Sequence, residues 1–293
     1  MSWLVLVNPA AGGRSSVERA RAALTGGGVP HDLAVPASAG EMAAIARREA
    51  DAGRRDFAVV GGDGTANIVV DAVLSHRTWV EPPTIAILPA GSGSDFVRTF
   101  GLPRTIEGAV GHLVTDDRYR CDVGRIEGRF GTRYFLNAAN VGIAARSAGL
   151  ASRLPARLGG LRYTAAFWIA LGGFPPGDVE VRVGRHRFEG SAMNVVVANG
   201  QFFGGGLNVA PRASVMDGLF DVQVFAGPRR NAFTVMPRVV RGHHLTHRAV
   251  HRYVGASVDI RAPEIWPVEA DGEVLGRGPV VAEIVPGAID MKI

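Results

Sequence analysis

The sequence predicts an α/β domain followed by a β-rich domain of the sandwich type. In residues 1–118, short apolar runs alternate with helix-like segments, a pattern typical of βαβ units around a parallel sheet. In residues 119–285, strand-like segments follow one another through short glycine-containing turns, which favours an antiparallel sandwich. We expect the remaining segment, 286–293, to return to the first domain.

Length and composition agree with this fold class. The 293 residues include 47% hydrophobic and 20% charged side chains, which excludes a largely disordered chain. Cys121 is the only cysteine, so disulfides within the chain and a Cys-cluster zinc site are excluded. Lys292 is the only lysine, which excludes a P-loop and an internal pyridoxal-phosphate Schiff base.

The elements of the first domain follow from its apolar runs. Runs at 3–7, 32–35, 57–60 and 84–88 predict four strands, and the segments between them predict helices at 16–24, 39–52 and 67–74. Ser38 and Glu41 form a capping box that starts the second helix.

The second domain has a different pattern. Strands are predicted at 119–125, 134–141, 179–183, 186–189, 193–199, 219–225, 257–261 and 280–285, with a helical insert at 144–172. Part of this insert, 150–174, places Arg153, Arg157 and Arg162 beside Phe167 and Trp168. That composition suits a segment lying on an anionic lipid surface, although an ordinary helix pair packed on the sandwich is equally compatible with it.

Three loops follow three strands of the first domain, at 8–14, 61–65 and 91–95. In a parallel sheet these loops share the carboxyl edge, where ligands bind. Their glycines allow backbone N–H groups to approach phosphate oxygens, and each loop opens a helix whose N-terminus favours an anion. None is a Rossmann fingerprint or a P-loop, so the sequence predicts a polyphosphate site of another kind.

The same loops carry polar side chains suited to a nucleotide. Thr65 and Ser92 offer hydroxyl groups, and Asp63 and Asp95 offer carboxylates of the kind that bind nucleotide-associated Mg²⁺. Tight turns also need glycine for structural reasons, so the prediction rests on the three loops together.

A late acidic segment places Asp271 and Glu273 on either side of a glycine. An extended strand would put both carboxylates on one face, whereas a tight Asp-Gly turn would separate them. One interpretation is a carboxylate base that orients or deprotonates a hydroxyl during phosphoryl transfer, and the other is a plain hairpin turn.

Four motifs together resemble the soluble diacylglycerol kinase and sphingosine kinase family over nearly the whole chain. GGDGT at 61–65 matches completely, LPAGSGSDFVR at 88–98 resembles LPxGTxNDFAR, VNPAAGG at 7–13 resembles the NPxxG loop, and DGE at 271–273 matches the late acidic motif. The resemblance implies a phosphofructokinase-like α/β nucleotide-binding domain and a C-terminal β-sandwich domain.

The resemblance also implies a reaction, in which the γ-phosphoryl group of ATP passes to a lipid hydroxyl with Mg²⁺ as cofactor. Diacylglycerol is the first expected acceptor, taken from a membrane surface. The implied nucleotide-binding residues are Asn8, Gly12, Gly13, Arg14, Gly61, Gly62, Asp63, Gly64, Thr65, Gly91, Ser92, Gly93 and Asp95.

Catalytic and metal-binding roles are implied in the same way. Asp271 is the expected base with Glu273 as the alternative, and Asp63 also belongs to the catalytic set. Asp63 and Asp95 would organise the nucleotide-bound Mg²⁺. The resemblance implies a second, structural Mg²⁺ held by Asp122, Val215, Asp217 and Leu219.

Three departures from the family pattern concern polar contacts. Ser94 replaces a usual Asn, Ile68 replaces a frequent Glu, and Met216 replaces a common acidic or amide residue, which weakens the structural-metal assignment. The expected aspartates are all present.

Several alternatives remain open at this stage. The acceptor could instead be a sphingoid base, ceramide, monoacylglycerol or a glycolipid, the chain could be an NAD kinase, or it could be a noncatalytic nucleotide or membrane sensor. A nucleic-acid partner is not expected because no recognisable basic module with exposed aromatics is present. A homodimer is compatible with the family.

The expected location is cytoplasmic, peripheral to the inner membrane surface. No basic amino-terminal region precedes the first apolar run, and the longest apolar stretch is about half the roughly 20 residues that span a bilayer. His243, His244 and His247 could suggest a metal site, since the first and last have helical i, i+4 spacing. Without a supporting cluster we expect surface histidines on a basic helix.

Overall fold

The computed structural model describes residues 2–11, 13–76, 78–90, 95–155, 158 and 161–293. Several residues of the predicted loops and insert lie outside the described residues, namely Gly12, Gly91, Ser92, Gly93, Ser94, Arg157 and the side chain of Arg14. The chain divides into two compact units, Met1–Asp122 with Pro286–Ile293, and Val123–Val285.

The described helices are α1 Arg14–Gly26, α2 Ala39–Asp51, α3 Asp63–His76, α4 Asp95–Thr99, α5 Ile106–Val110, α6 Ile143–Ala151, α7 Leu161–Gly173 and α8 Ala232–Val240. The described strands are β1 Trp3–Val7, β2 His31–Ala34, β3 Asp56–Gly61, β4 Thr84–Pro89, β5 Arg118–Gly128, β6 Gly131–Phe135, β7 Ala138–Gly142, β8 Gly177–Val183, β9 His186–Ala198, β10 Phe202–Phe203, β11 Leu207–Asn208, β12 Phe220–Ala226, β13 Val250–Gly255, β14 Ser257–Arg261, β15 Pro267–Ala270, β16 Glu273–Arg277 and β17 Val280–Lys292.

The first unit is built on a parallel sheet in the order β2-β1-β3-β4. The end of β17 adds a further parallel strand, because Asp290 and Met291 pair with Thr84 and Ile85 of β4. All residues of β1 and β4 are buried, as expected for parallel strands covered on both faces. The predicted α/β class of this part of the chain is confirmed.

Helices of the first unit begin where the sequence predicts phosphate loops. Helix α1 begins seven residues after β1 ends, and helices α3 and α4 begin two and six residues after β3 and β4 end. At α2 the Ser38 Oγ accepts the Glu41 N–H at 3.1 Å, while the Glu41 carboxylate accepts the Ala37 N–H at 2.7 Å. The side chains of the predicted capping box therefore satisfy two backbone donors at this helix start.

The second unit is an antiparallel β structure. Its longest run of paired strands is β16-β15-β7-β9-β8-β14-β17, and β12 pairs with both β9 and β13. Trp266, Phe135 and Phe220 are among the largest fully buried side chains, and the two phenylalanine rings stack with centroids 5.7 Å apart. The predicted β-sandwich class is confirmed, and the described residues of the helical insert include the helices α6 and α7.

The histidines do not lie on the α-helix that the sequence predicts; His243 is exposed as expected, but His244 is not. His244 lies in a short 3-10 helix, His244–Thr246, and is fully buried. Its Nε2 lies 2.9 Å from Oε1 of Gln223, a buried residue of β12 that needs a polar partner. Burial lowers the pKa of His244, so the neutral ring is favoured there.

Among the helices of the described ranges, none combines the length and the apolar character needed to cross a bilayer.

Candidate active site

The first two glycine-rich loops are joined directly by a hydrogen bond. Asn8, just after β1, donates from Nδ2 to the Thr65 Oγ1 at 2.9 Å, and its own Oδ1 accepts the Ala10 N–H at 3.0 Å. A Cβ on Gly61 would lie 2.6 Å from the Thr65 Oγ1, so only glycine permits this close approach without a shift of the hydroxyl. The structure therefore brings Asn8, Gly61 and Thr65 together at the carboxyl edge of the sheet.

The second and third loops are joined through Asp63. Its carboxylate accepts the backbone N–H groups of Asp95 at 2.6 Å and of Phe96 at 2.9 Å, so it caps the start of α4. Burial raises the pKa of Asp63, and the two N–H donors oppose that shift. The nearby negative charge of Asp95 raises the pKa of Asp63 further.

This pair of carboxylates suits a nucleotide-bound magnesium ion. Mg²⁺ is usually held by one or two carboxylates together with substrate phosphates and water, rather than by a cage of protein ligands. The described residues contain no group of three or more His, Cys, Asp and Glu side chains arranged for a metal. Two carboxylates such as Asp63 and Asp95 fit the donor set of a shared protein–nucleotide site, and their metal role remains a prediction.

The residues predicted for a structural metal are placed separately in the two units. In the first unit, Asp122 accepts the Gly287 N–H at 2.8 Å and so ties β5 to the carboxyl-terminal segment. In the second unit, the exposed Asp217 accepts the Leu219 N–H at 3.1 Å, while Val215 is buried beside this turn. These contacts explain both aspartates as turn or strand anchors, and the structural metal stays a prediction.

The acidic segment forms a two-residue hairpin turn between β15 and β16. Ala270 pairs with Glu273, and the two turn residues both have positive φ, 45° at Asp271 and 86° at Gly272. Asp-Gly is a preferred sequence for such a turn because it must place both residues in the left-handed region. The turn therefore satisfies the structural interpretation of the motif while leaving the functional one open.

The Asp271 carboxylate is held by three successive backbone N–H groups. Its Oδ2 accepts from Leu136 at 2.6 Å, and its Oδ1 accepts from Asn137 at 2.9 Å and from Ala138 at 3.1 Å. These donors lie in the connection from β6 to β7 and at the first residue of β7, so the tip of the hairpin has a fixed position within the second unit. Glu273, by contrast, is exposed.

A third carboxylate of the acidic segment, Glu269, was given no role from the sequence. It is only 5% exposed; its Oε1 accepts from Asn140 Nδ2 at 2.5 Å and its Oε2 accepts the Gly272 N–H at 2.7 Å. Burial raises the pKa of Glu269 to about 7, the two hydrogen bonds oppose this, and the charge of Asp271 adds to it. The available signal was a charged residue between two apolar residues of a strand, Val268 and Ala270.

Two family models cover most of the chain. Residues 2–126 match the diacylglycerol kinase catalytic domain, and residues 137–293 match the YegS C-terminal NAD kinase beta sandwich-like domain. The chain belongs to the diacylglycerol kinase–YegS family. The predicted family resemblance is confirmed, and the GGDGT and LPAGSGSDFVR segments both fall inside the catalytic domain of that family.

Relatives within this family are described as lipid kinases. The chain is 28% identical over 236 residues to probable lipid kinase YegS of Salmonella paratyphi A and of Salmonella arizonae, covering 80% of this chain and 76% of each relative. A solved diacylglycerol kinase from Bacillus anthracis str. Sterne superposes with a TM-score of 0.74 at 20% identity, over 99% of this chain and 96% of that one. A second chain from the same organism gives a TM-score of 0.81 at 22% identity over the same shares. At these identities the structures establish the fold.

Membership of this family gives the chain a diacylglycerol kinase-like catalytic domain, and a kinase domain of this family implies ATP as the phosphoryl donor.

Proposed function

We propose that the protein transfers the γ-phosphoryl group of ATP to the hydroxyl of diacylglycerol, forming phosphatidic acid and ADP. The hydroxyl oxygen forms a bond to the γ-phosphorus, the bond from that phosphorus to the β–γ bridging oxygen breaks, and the hydroxyl proton passes to a carboxylate. The observation that carries the proposal is that three loops meet at one edge of the sheet. The Asn8–Thr65 hydrogen bond joins the first two loops, and the hydrogen bond from the Asp95 N–H to Asp63 joins the second and third. All three loops lie within the part of the chain that matches the catalytic domain.

Binding of the nucleotide is assigned to this edge. Helices α1 and α3 begin there, and helix N-termini favour phosphate. Asn8 and Thr65 would orient the phosphates, together with Gly13, Gly61, Gly62 and Gly64. Asp63 and Asp95 would hold the Mg²⁺, which when bound neutralises phosphate charge during transfer.

Proton removal is assigned to the hairpin of the second unit. Asp271 is the first candidate because three N–H donors hold its carboxylate in one orientation, as a general base requires. Glu273 is the alternative because it is exposed and its lone pairs are open to a substrate. Replacing each by its amide tests the two roles separately.

The proposed acceptor is a membrane lipid, so the protein would work at the inner membrane surface as a peripheral enzyme. Other lipid alcohols remain candidates, because acyl-chain and headgroup selection depend on features beyond the phosphoryl-transfer groups. NAD phosphorylation is the second candidate, supported by the NAD kinase-like description of the matched carboxyl-terminal domain.

The test is phosphate transfer from γ-labelled ATP with Mg²⁺ to mixed micelles containing diacylglycerol, a sphingoid base, ceramide, monoacylglycerol or no acceptor, with NAD in a parallel reaction. Asp271→Asn and Glu273→Gln are compared with the wild type and with Glu264→Gln, a control at another exposed glutamate of the second unit.

Labelled phosphatidic acid that depends on Asp271 or Glu273, but not on Glu264, supports the proposal. Labelling of another lipid alone would keep the kinase and replace the acceptor, whereas labelled NADP would favour the NAD kinase. Nucleotide binding with no labelled product from any acceptor would contradict catalysis and favour a sensor.

A further inference from the structure

Two helices of the second unit form an exposed apolar ridge. On α7, Leu161, Trp168 and Ile169 are 71%, 37% and 58% exposed, and their spacing places them on one face of the helix. On α8, Phe233 and Val240 are 63% and 54% exposed and lie seven residues apart, again on one face.

Direct contacts join the two helices into one surface. The rings of Trp168 and Phe233 lie with centroids 5.3 Å apart. Arg229, just before α8, donates from Nε to the carbonyl of Phe174 at 2.6 Å and from Nη1 to that of Gly172 at 3.2 Å, which satisfies the carboxyl end of α7. We call these helices and their connecting residues the α7–α8 surface.

The sequence segments that carry these two helices have one-sided charge, although Arg252 near the end of the second segment is paired with Asp221. Segments 142–177 and 224–258 contain ten arginines and no aspartate or glutamate, whereas the whole chain has 27 acidic residues against 32 basic ones. Arg230, Arg238 and Arg241, all exposed, flank the ridge residues Phe233 and Val240 along the chain.

We propose that the α7–α8 surface docks on an anionic lipid bilayer, with the apolar ridge entering the interface and the arginines contacting headgroup phosphates. Exposed apolar side chains beside exposed arginines are the features of an interfacial segment. A two-fold dimer through the same surface would bring arginines against arginines, which opposes self-association there. The inference rests on the proposed function only in that a lipid substrate must be collected from a membrane.

The test is sedimentation of the full chain with vesicles of phosphatidylcholine alone or mixed with phosphatidylglycerol, without ATP. We compare Ile169→Ser/Phe233→Ser and Arg230→Glu/Arg241→Glu with controls in the first unit, Val80→Ser and Arg21→Glu/Arg47→Glu. The wild type and controls should bind the anionic vesicles, more weakly at high salt, while either surface variant should lose affinity on the order of tenfold or more.

Equal binding by the wild type and the charge-reversal variant would overturn the proposal. So would a dimer-to-monomer change of Ile169→Ser/Phe233→Ser in light scattering with unaltered vesicle binding, because the ridge would then contact a second copy. The vesicle assay contains no ATP, so its result does not depend on phosphoryl transfer. Vesicle binding here, together with no labelled lipid in the separate transfer assay, would contradict the proposed kinase and leave the docking surface intact.

An independent observation concerns a buried chain of polar groups behind the acidic hairpin. The Ala144 N–H donates to Asn194 Oδ1 at 3.0 Å, Asn194 Nδ2 donates to Asn140 Oδ1 at 3.1 Å, and Asn140 donates onward to Glu269. Asn140, Asn194 and Glu269 are all at most 5% exposed.

The groups at the two ends of this hydrogen-bond network determine which side-chain atoms donate and which accept. At one end the donor is the backbone N–H of Ala144, and at the other it is the backbone N–H of Gly272. Each asparagine accepts one hydrogen bond through its side-chain oxygen and donates one through its amide nitrogen. Hydrogen bonds donated from both ends of the network therefore meet at position 269, where the side chain must accept two of them. Only a carboxylate at position 269 satisfies both, because any amide there leaves two N–H groups facing each other.

We infer that Glu269 is a positioning residue that holds the Asp271–Gly272 turn through its second carboxylate oxygen. Its contact to the Gly272 N–H fixes the backbone between the two candidate bases, Asp271 and Glu273. This inference deepens the proposed function and rests on it for the kinetic readout. A shift of the turn by about 1 Å is enough to lower phosphoryl transfer on the order of 100-fold.

The test moves the carboxylate that accepts two hydrogen bonds from position 269 to the neighbouring position of the network, 140. In Glu269→Gln/Asn140→Asp, the new carboxylate at position 140 would accept from Asn194 and from the new amide at position 269, whose oxygen would still accept from Gly272. At pH 8, Glu269→Gln should lower kcat on the order of 10- to 100-fold with little change in KM for ATP, and the double variant should recover to within about threefold of the wild type. Asn140→Asp alone places two carboxylates, at positions 140 and 269, next to each other, and they can form a hydrogen bond only when one of them is protonated. The activity of this variant should therefore fall as pH rises.

A double variant as inactive as Glu269→Gln would overturn the inference, because a carboxylate required for chemistry at position 269 itself would not be replaced from position 140. Unaltered activity of Glu269→Gln would also overturn it. The same four proteins are compared by thermal unfolding, so the rescue remains measurable even if no lipid is phosphorylated and the proposed function fails.

Discussion

The carboxylate of Asp63 accepts the backbone N–H of Asp95 at 2.6 Å, so an aspartate of the GGDGT motif caps the helix that begins in the third loop. We predict that Asp63→Ala destabilises the protein by about 1–3 kcal/mol, because it leaves two buried backbone donors without an acceptor. Urea unfolding measures this, with exposed Asp51→Ala as a control expected to stay within about 0.5 kcal/mol of the wild type. A similar change in both variants would contradict the capping role.

The contact between Asn8 and Thr65 gives a second prediction. Thr65→Val preserves the shape of the side chain but removes the oxygen that accepts from Asn8, so the first loop loses its anchor. We expect KM for ATP to rise between about 2- and 12-fold, the range of one ordinary hydrogen bond. Thr65→Ser, which retains the hydroxyl, should stay close to the wild type, and an equal increase in both variants would contradict this account.

The buried carboxyl of Glu269 predicts a pH-dependent stability. Its pKa is raised from 4.5 to about 7 in the folded protein, so the native state binds more protons than the unfolded state between these values. The free energy of unfolding therefore contains a contribution that falls as pH rises from about 4.5 to 7, on the order of 3 kcal/mol in all, and is constant above that range. Urea titrations from pH 5 to pH 8 should show this slope in the wild type and lose it in Glu269→Gln; identical slopes would contradict it.

Cys121 offers a probe of local opening. The thiol is fully buried, and burial raises its pKa to about 12. Near neutral pH a reagent therefore cannot reach the sulfur, and the reactive thiolate form is not populated. We predict no reaction with a thiol reagent such as dithionitrobenzoate in the native state and one reactive thiol per chain after denaturation. Rapid labelling of the native protein would show that β5 opens at this position.

The prediction of the fold from the sequence succeeds where periodicity is local. Continuous apolar runs such as Trp3–Val7 and Thr84–Pro89 identify buried parallel strands, and the family motifs place the loops at their ends. The hairpin at Asp271 was one of two stated alternatives, and only the register of Ala270 with Glu273 decides between them.

The parts that escaped prediction depend on contacts between distant positions. Nothing in the sequence near Asp63 indicates that its carboxylate accepts a hydrogen bond from the backbone N–H of Asp95, 32 residues later. His244 resembles a surface histidine until Gln223 of a neighbouring strand is known to need its ring nitrogen. Glu269 is likewise explained only by Asn140 and Asn194 of two other strands, so its signal is visible in hindsight as polar residues inside apolar strands.

Strand β17 contributes to both units, with its residues up to Val285 in the second and Pro286–Ile293 in the first. Ile289 and Met291 are fully buried in the first unit, where the strand pairs with β4. During synthesis on a ribosome, these residues emerge only after the entire second unit has been translated. The parallel sheet of the first unit is therefore completed last, and a fragment ending at residue 122 would expose an unpaired, apolar strand edge to aggregation.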